Sequence, residues 1–349
     1  MKHLLYDDFP TEIGRLFSER GLPSFRAKQI NEWLGKCALD FSQMTNLPIA
    51  LREDLMQEFD LNAFRDVTVI QSKLDDTRKY FFTLRDGEHI EAVLLHYHHG
   101  YSVCVSTQAG CKMGCKFCAS SACGFGRDLT CGEILSELVA ITADMRKTIP
   151  DFRIGHIVLM GIGEPLDNYD NVLRFLRLAM DEERFGIGAR NISLSTCGLV
   201  DKIAKLAEEN IPLTLSISLH APTDLKRDAI MPVNRRFPLA ALIDACRDYD
   251  RKTGRRISLE YALIAGENDS VEDAKTLANL LRGLDCHVNL IPVNEVPGAS
   301  YRTARENQRL LFTNTLEKCK INVTVRRTLG ADIEAACGQL RRAANNTAN

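Results

Sequence analysis

From Tyr101 onward the chain alternates short apolar strand segments with amphipathic helical ones. No other feature of the sequence limits its possible folds so strongly. Strand patterns fall at 103–106, 156–160, 191–195, 213–219, 257–262 and 287–291, and helical periodicity marks 132–147, 200–210, 239–252 and 271–284. A last helix at 306–319 and a last strand at 322–326 follow. Strand, helix, strand in repetition is the pattern of parallel βαβ units, so the class is α/β. Six strands are too few to close an eight-stranded barrel. An open partial barrel and a doubly wound sheet both remain, and periodicity does not choose between them.

Two different patterns precede this core. In residues 1–66 short helical runs alternate with turns: Phe25, Ile30, Trp33 and Leu34 share one face, with Arg26 and Lys28 off it, and Pro48 stands near a second helix start. Around 67–100 the period becomes two, with β-rich runs at 67–70, 80–84 and 90–95 and turns at Asp75-Asp76 and Asp86-Gly87. The expected organisation is a small helical domain (1–66), a short antiparallel β linker (67–100), the α/β core (101–342) and a disordered tail (343–349).

Composition excludes several classes. No run of 18 or more apolar residues argues for a membrane span, and the start lacks the apolar core of a secretion signal. Twelve cysteines without an export signal read as thiols and metal ligands, which fits a reducing cytoplasm. The net charge of −2 means that any nucleic-acid contact rests on local basic clusters.

The chemistry concentrates after the first core strand, in Cys111-Lys112-Met113-Gly114-Cys115-Lys116-Phe117-Cys118. Three thiolates on one short loop suit one soft metal centre. A structural zinc site needs four protein ligands, and Cys123 is available to close one. A cubane iron–sulfur cluster on three cysteines instead keeps one iron open, and the spacing differs from ferredoxin runs that supply a fourth.

Ligands in parallel α/β folds bind at the carboxyl ends of strands. There the second strand ends in Met160-Gly161-Ile162-Gly163-Glu164-Pro165, whose glycines admit a ligand close to the backbone and whose Glu164 can accept from an ammonium group. Ser195-Thr196 ends the third strand, Ser218-Leu219-His220 the fourth, and Asn294 follows the sixth. Polar residues recurring at one edge point to a polar pocket. Two more cysteines stand out: Cys104 on the first strand, and Cys337, uncrowded between Ala335-Ala336 and Gly338. Cys37, Cys197, Cys246, Cys286 and Cys319 read as small buried hydrophobes.

The cysteine motif, Met160–Pro165, Leu194-Ser195-Thr196, Ser218-Leu219-His220, the 287–294 segment and the Ala-Ala-Cys-Gly-Gln ending occur in one order. Together they resemble the radical S-adenosylmethionine (SAM) methyltransferases that act on adenine C2 of 23S rRNA and tRNA, the RlmN/Cfr family. The resemblance covers nearly the whole chain, including Phe-Arg-Ala-Lys-Gln and Asn-Leu-Pro near the start. It implies a partial (βα)6 barrel, a [4Fe-4S] cluster on Cys111, Cys115 and Cys118, and SAM bound by Gly163, Glu164, Ser195, Ser218, Leu219, His220 and Asn294. It also implies a sequence of reactions. One SAM methylates Cys337; a second, cleaved at the cluster, gives a 5′-deoxyadenosyl radical that removes hydrogen from the S-methyl group. The resulting carbon radical adds to adenine C2, Glu91 accepts the departing proton, and Cys104 resolves the adduct by forming a disulfide with Cys337. The relative acting on adenine C8 is the alternative, and Glu164-Pro165 resembles the C2 enzyme.

The implied partners are RNA and an external electron donor such as a flavodoxin, with the chain acting as a monomer. The helical domain is expected to dock RNA through Arg26 and Lys28, joined by Arg302, Arg305, Lys320, Arg326 and Arg327. His96-Tyr97-His98-His99 and Cys123 depart from the family pattern.

Overall fold

The computed structural model describes residues 2–294 and 301–341; the expected disordered tail at 343–349 lies outside the described residues. The amino-terminal segment is a ring of helices closed by one short strand pair. β1 (His3–Leu4) pairs in parallel with β2 (Phe59–Asp60), and α1 (Pro10–Glu19), α2 (Ser24–Gly35) and α3 (Ile49–Glu58) lie between them. Pro10 opens α1, where its missing N–H costs nothing, and Glu12 turns back to accept from Phe9 N at 2.7 Å.

Three antiparallel strands follow: β3 (Phe64–Gln71), β4 (Arg78–Leu84) and β5 (His89–Tyr97). β5 pairs antiparallel with β6 (Gly100–Cys104), setting Val93 opposite Cys104. The short hairpin of β7 (Gln108–Gly110) and β8 (Phe125–Asp128) then flanks the three-cysteine loop and one turn of helix, α4 (Ala119–Ala122). The rest alternates as the periodicity predicts: α5 (Cys131–Met145), β9 (His156–Leu159), α6 (Tyr169–Met180), β10 (Ile192–Thr196), α7 (Val200–Glu208) and β11 (Thr214–Ser218). After α8 (Asp224–Ile230) and α9 (Leu239–Thr253) come β12 (Ile257–Leu263), α10 (Val271–Leu280), β13 (Cys286–Pro292), α11 (Glu306–Lys318) and β14 (Asn322–Val325).

All but the two small pairs join one ten-stranded sheet, ordered β14-β13-β12-β11-β10-β9-β6-β5-β4-β3. β6 and β9 to β14 are parallel, so the expected partial barrel gains β14 as a seventh parallel strand. The antiparallel strands extend this same sheet, with β5 hydrogen-bonded to β6.

One continuous buried cluster runs from Leu5, Tyr6, Phe17 and Ile30 through Ile134 and Phe175 to Leu259 and Phe312. The helical segment therefore shares its core with the barrel. Gly132 marks the seam: its N–H donates to Asp7 Oδ1 at 2.6 Å, and a Cβ there would stand 2.8 Å from Asp7 N. Arg174 reaches across the same seam to Asp7 O at 2.5 Å and to the Glu12 carboxylate.

Beyond β14, residues 330–341 return across the sheet as a strap. Asp332 accepts from Ser72 Oγ (2.7 Å) and Lys73 N (2.8 Å) at the β3–β4 turn, and Gly330 N donates to Asp75 Oδ2 (3.0 Å). At its other end Leu340 O accepts from Ser120 Oγ (2.8 Å), and Gly338 O accepts from Ala119 N (2.8 Å). Ala335 and Leu340 bury themselves with Val93, Leu95, Cys104 and Ile162 in a second, small apolar cluster.

Candidate active site

A cavity at the carboxyl ends of the parallel strands gathers most of the residues singled out in the sequence. Cys111, Cys115, Cys118, Gly163, Glu164, Ser195, Ser218, His220, Asn294 and Cys337 all line it. Leu219 does not: it is fully buried, and only its backbone serves the site, with its N–H donating to Glu260 O at 3.0 Å. Cys123 ends the short helix α4 and is not among the lining residues.

Each lining group is fixed by its element. Glu164 is 3 % exposed; Oε1 accepts from Leu166 N (3.0 Å) and Oε2 from Cys197 N (2.7 Å), which aims the carboxylate across the end of β10. Burial raises its pKa, against those donors. Gly163 has φ +112°, and a Cβ would stand 2.7 Å from Gln108 Cβ, so only glycine fits. Ser195 Oγ and Ser218 Oγ lie 3.4 Å apart on paired strands. His220 takes φ +57° and is buried; its Nδ1 accepts from Ala262 N at 2.9 Å, leaving the proton on Nε2. Burial, helped by the cation Arg227, lowers its pKa to about 3, so the ring is neutral. Its ring meets Phe117 of the cysteine loop edge-on, centroids 4.9 Å apart.

The three loop thiols share one cavity wall and feel one another's charge. Burial raises the pKa of Cys111 to about 12 and that of Cys115 well above its ordinary value, and the neighbouring cysteines push in the same direction. A soft cation removes that penalty by binding the sulfurs as thiolates. Among the described residues no three His, Cys, Asp or Glu side chains are already gathered in metal-ligating geometry.

A second, smaller cavity lies behind the first, lined by Val93, Leu95, Tyr97, Cys104 and Arg326 among others. Met160, Ile291, Asn294 and Cys337 line both. Cys337 thus stands in the wall between the cysteine loop and Cys104. Asn294 Nδ2 donates to Cys337 O at 3.0 Å, and Gly338 continues the turn at φ +80°. Burial raises the Cys104 pKa to about 12, and the Cys337 sulfur adds to that. All twelve cysteines are free thiols.

Glu91 lines neither cavity. It lies on the same face of β5 as Val93, the partner of Cys104, and is buried. Lys79 Nζ sits 2.9 Å from Oε1, and Arg341 N donates to Oε2 at 2.9 Å.

Several functional contacts were not legible in the sequence. Arg227, fully buried, donates to Cys197 O (2.6 Å), Ser218 O (3.1 Å) and Leu219 O (3.0 Å), tying two strand ends together. Arg326, expected on an RNA surface, is turned inward: its Nη1 lies 3.7 Å from Met160 Sδ. Cys337 foremost, then Glu260, Tyr97 and Cys104, hold its charge in place. Among the cysteines read as buried hydrophobes, Cys37, Cys246 and Cys286 are buried. Cys197 is buried too but lines the main cavity, and Cys319 is exposed at the end of α11, where its helix face meets solvent.

Comparison with known proteins completes the description. Residues 105–279 match the Radical SAM superfamily, and residues 5–61 match the Ribosomal RNA large subunit methyltransferase N-terminal domain. The chain is 49% identical over 323 residues to the "Probable dual-specificity RNA methyltransferase RlmN" of Lachnoclostridium phytofermentans, covering 92% of this chain and 89% of that protein. A protein of the same name from Clostridium perfringens is 47% identical over 344 residues, covering 98% and 97%. The crystal structure of a radical SAM methyltransferase from Sphaerobacter thermophilus superposes with a TM-score of 0.95 at 43% identity, covering 98% of this chain and all of that one.

Proposed function

Because the chain belongs to the RlmN family of dual-specificity RNA methyltransferases within the radical SAM superfamily, we propose that it methylates adenine C2 in 23S rRNA and tRNA. In this reading Cys337 carries the methyl group, and two SAM molecules are consumed for each one transferred. The observation that carries the proposal is the position of Cys337 in the wall shared by two cavities, with the cysteine loop on one side and Cys104 on the other.

Cys111, Cys115 and Cys118 would hold a [4Fe-4S] cluster; three soft thiols on one cavity wall suit it, and Cys123 stands off that wall. When bound, the cluster supplies one-electron reductive cleavage of SAM. Glu164 would accept from the ammonium group of SAM, and Gly163, Ser195, Ser218, His220, Asn294 and the Leu219 backbone would shape the rest of that pocket. His220 serves as a neutral Nε2–H donor.

Cys337 acts first as nucleophile and then as carrier. After its methylene carbon is joined to the base, Glu91 accepts the proton from C2. The Cys104 thiolate attacks the Cys337 sulfur: the S–S bond forms, and the S–C bond breaks with its electron pair on the methyl carbon, which takes up a proton. The unpaired electron left by radical addition stays on the sulfur pair until it passes out as one electron. Of the two electrons that the sulfur pair loses, one is taken up with the hydrogen gained by the 5′ carbon of the second SAM and one is passed out, and an external donor such as a flavodoxin resets the pair. Arg26, Lys28, Arg302, Arg305, Lys320 and Arg327 are the charges offered to RNA, with residues 1–66 as a docking domain and the chain acting as a cytoplasmic monomer.

Nucleoside mass spectrometry of rRNA and tRNA from cells lacking the gene tests the reading. Loss of 2-methyladenosine, restored on complementation, is expected. Complementation that yields 8-methyladenosine alone overturns it.

A further inference from the structure

Lys79 is an unusual residue to find under the strap. It lies on β4 with its side chain 5 % exposed, as is that of Glu91. Charged side chains are rarely buried so fully unless paired. In the sheet register Phe81 faces Glu91, and Lys79 faces Val93, which on its other side faces Cys104. Lys79, Val93 and Cys104 therefore form one row on one face, and Glu91 occupies the next row, diagonal to Lys79.

Both carboxylate oxygens of Glu91 are engaged, by different parts of the chain. Lys79 Nζ holds Oε1 at 2.9 Å and also donates to Glu334 O at 3.3 Å. The strap backbone, through Arg341 N, holds Oε2 at 2.9 Å. The first contact comes from β4, a strand hydrogen-bonded on both sides within the sheet. The second comes from a segment tied down chiefly by polar contacts at the β3–β4 turn and at α4.

Resting on the reading of Glu91 as proton acceptor, we propose that Lys79 is its positioning residue. Lys79 fixes Oε1 and keeps Glu91 a carboxylate, while the strap's Arg341 N–H covers Oε2 until RNA takes its place. The charge balance supports this. Burial pushes the Glu91 carboxyl up, and Lys79 foremost, then Arg341, draws it back. The other cations near this face are Arg341 and Arg326, the latter beside Cys104. Glu334 on the strap is paired with Arg341. Cys104 on β6 has its pKa pushed up to about 12, and Glu137 on α5, which accepts from Ser106 N, is likewise pushed up by burial. Without Lys79 the carboxyl pKa would rise further, so the ionised form would be lost at the acid side first.

Single-turnover RNA methylation measured from about pH 6 to pH 9 tests this in K79Q, K79R, E91Q and the neutral pair K79Q/E91Q, each checked for fold by its thermal melt. The proposal expects K79Q to move the acid limb upward by about one pH unit, a loss of about tenfold at the acid end that is regained as pH rises. It expects K79R to restore the wild-type profile, and the double variant to match E91Q. A uniform loss at every pH, or K79Q and E91Q effects that add, would overturn it. E91Q turning over at the wild-type rate would instead remove Glu91 as proton acceptor. E91Q inactive with K79Q unshifted removes Lys79 alone. If K79Q alone does not fold, the double variant and K79R still decide.

Discussion

At the scale of single residues, the site is assembled from short motifs and from partners far apart in the chain. Cys111, Cys115 and Cys118 carry their meaning in an eight-residue window, and Gly163-Glu164 in a dipeptide at a strand end. Arg326 reads in sequence as half of an exposed Arg-Arg pair, yet its guanidinium lies at Met160 Sδ, 166 residues away in the chain. Arg227 and Lys79 are equally silent until folding brings their carbonyl and carboxylate partners to them. The position of Arg326 has a chemical consequence. Cys104 is buried where thiolates are disfavoured, and Arg326 is the cation that draws it back. R326M should therefore slow iodoacetamide alkylation of Cys104 by about tenfold at fixed pH. An unchanged alkylation rate, followed by peptide mass spectrometry, would show that the guanidinium does not serve this thiol.

At the scale of elements, period and turn chemistry located the strands and helices of the core, because a half-buried strand and an amphipathic helix each write their burial into neighbouring residues. Strand pairing leaves no such local record. The 67–100 region reads as a separate linker, but its β5 bonds to β6 and sets Val93 beside Cys104, so it builds one wall of the thiol cavity. The strap was legible only as an uncrowded cysteine; its course is set by contacts such as Asp332 with Ser72, 260 residues apart. D332A removes the acceptor for Ser72 Oγ and Lys73 N. Amide hydrogen exchange in the 330–341 peptide should speed up several-fold while the sheet strands stay protected. Exchange unchanged across that peptide would mean that the apolar contacts of Ala335 and Leu340 fix the strap unaided.

At the scale of the whole molecule, the helical segment, the sheet and the strap form three parts, and the last two line the site. The shared core fixes the first two, since Tyr6 and Phe17 are buried in the same cluster as Leu259 and Phe312. The strap supplies the third and sets Cys337 between two cavities. Central to this account is a division of labour in which Cys337 carries the carbon and Cys104, behind it, releases the product. The most direct test is intact-mass and peptide analysis of C104A, purified with its RNA and trimmed by ribonuclease. The account predicts a nucleotide joined through one carbon to the peptide containing Cys337, because nothing remains to attack that sulfur. C104A with its cluster intact and Cys337 methylated, but with no RNA attached, would contradict it.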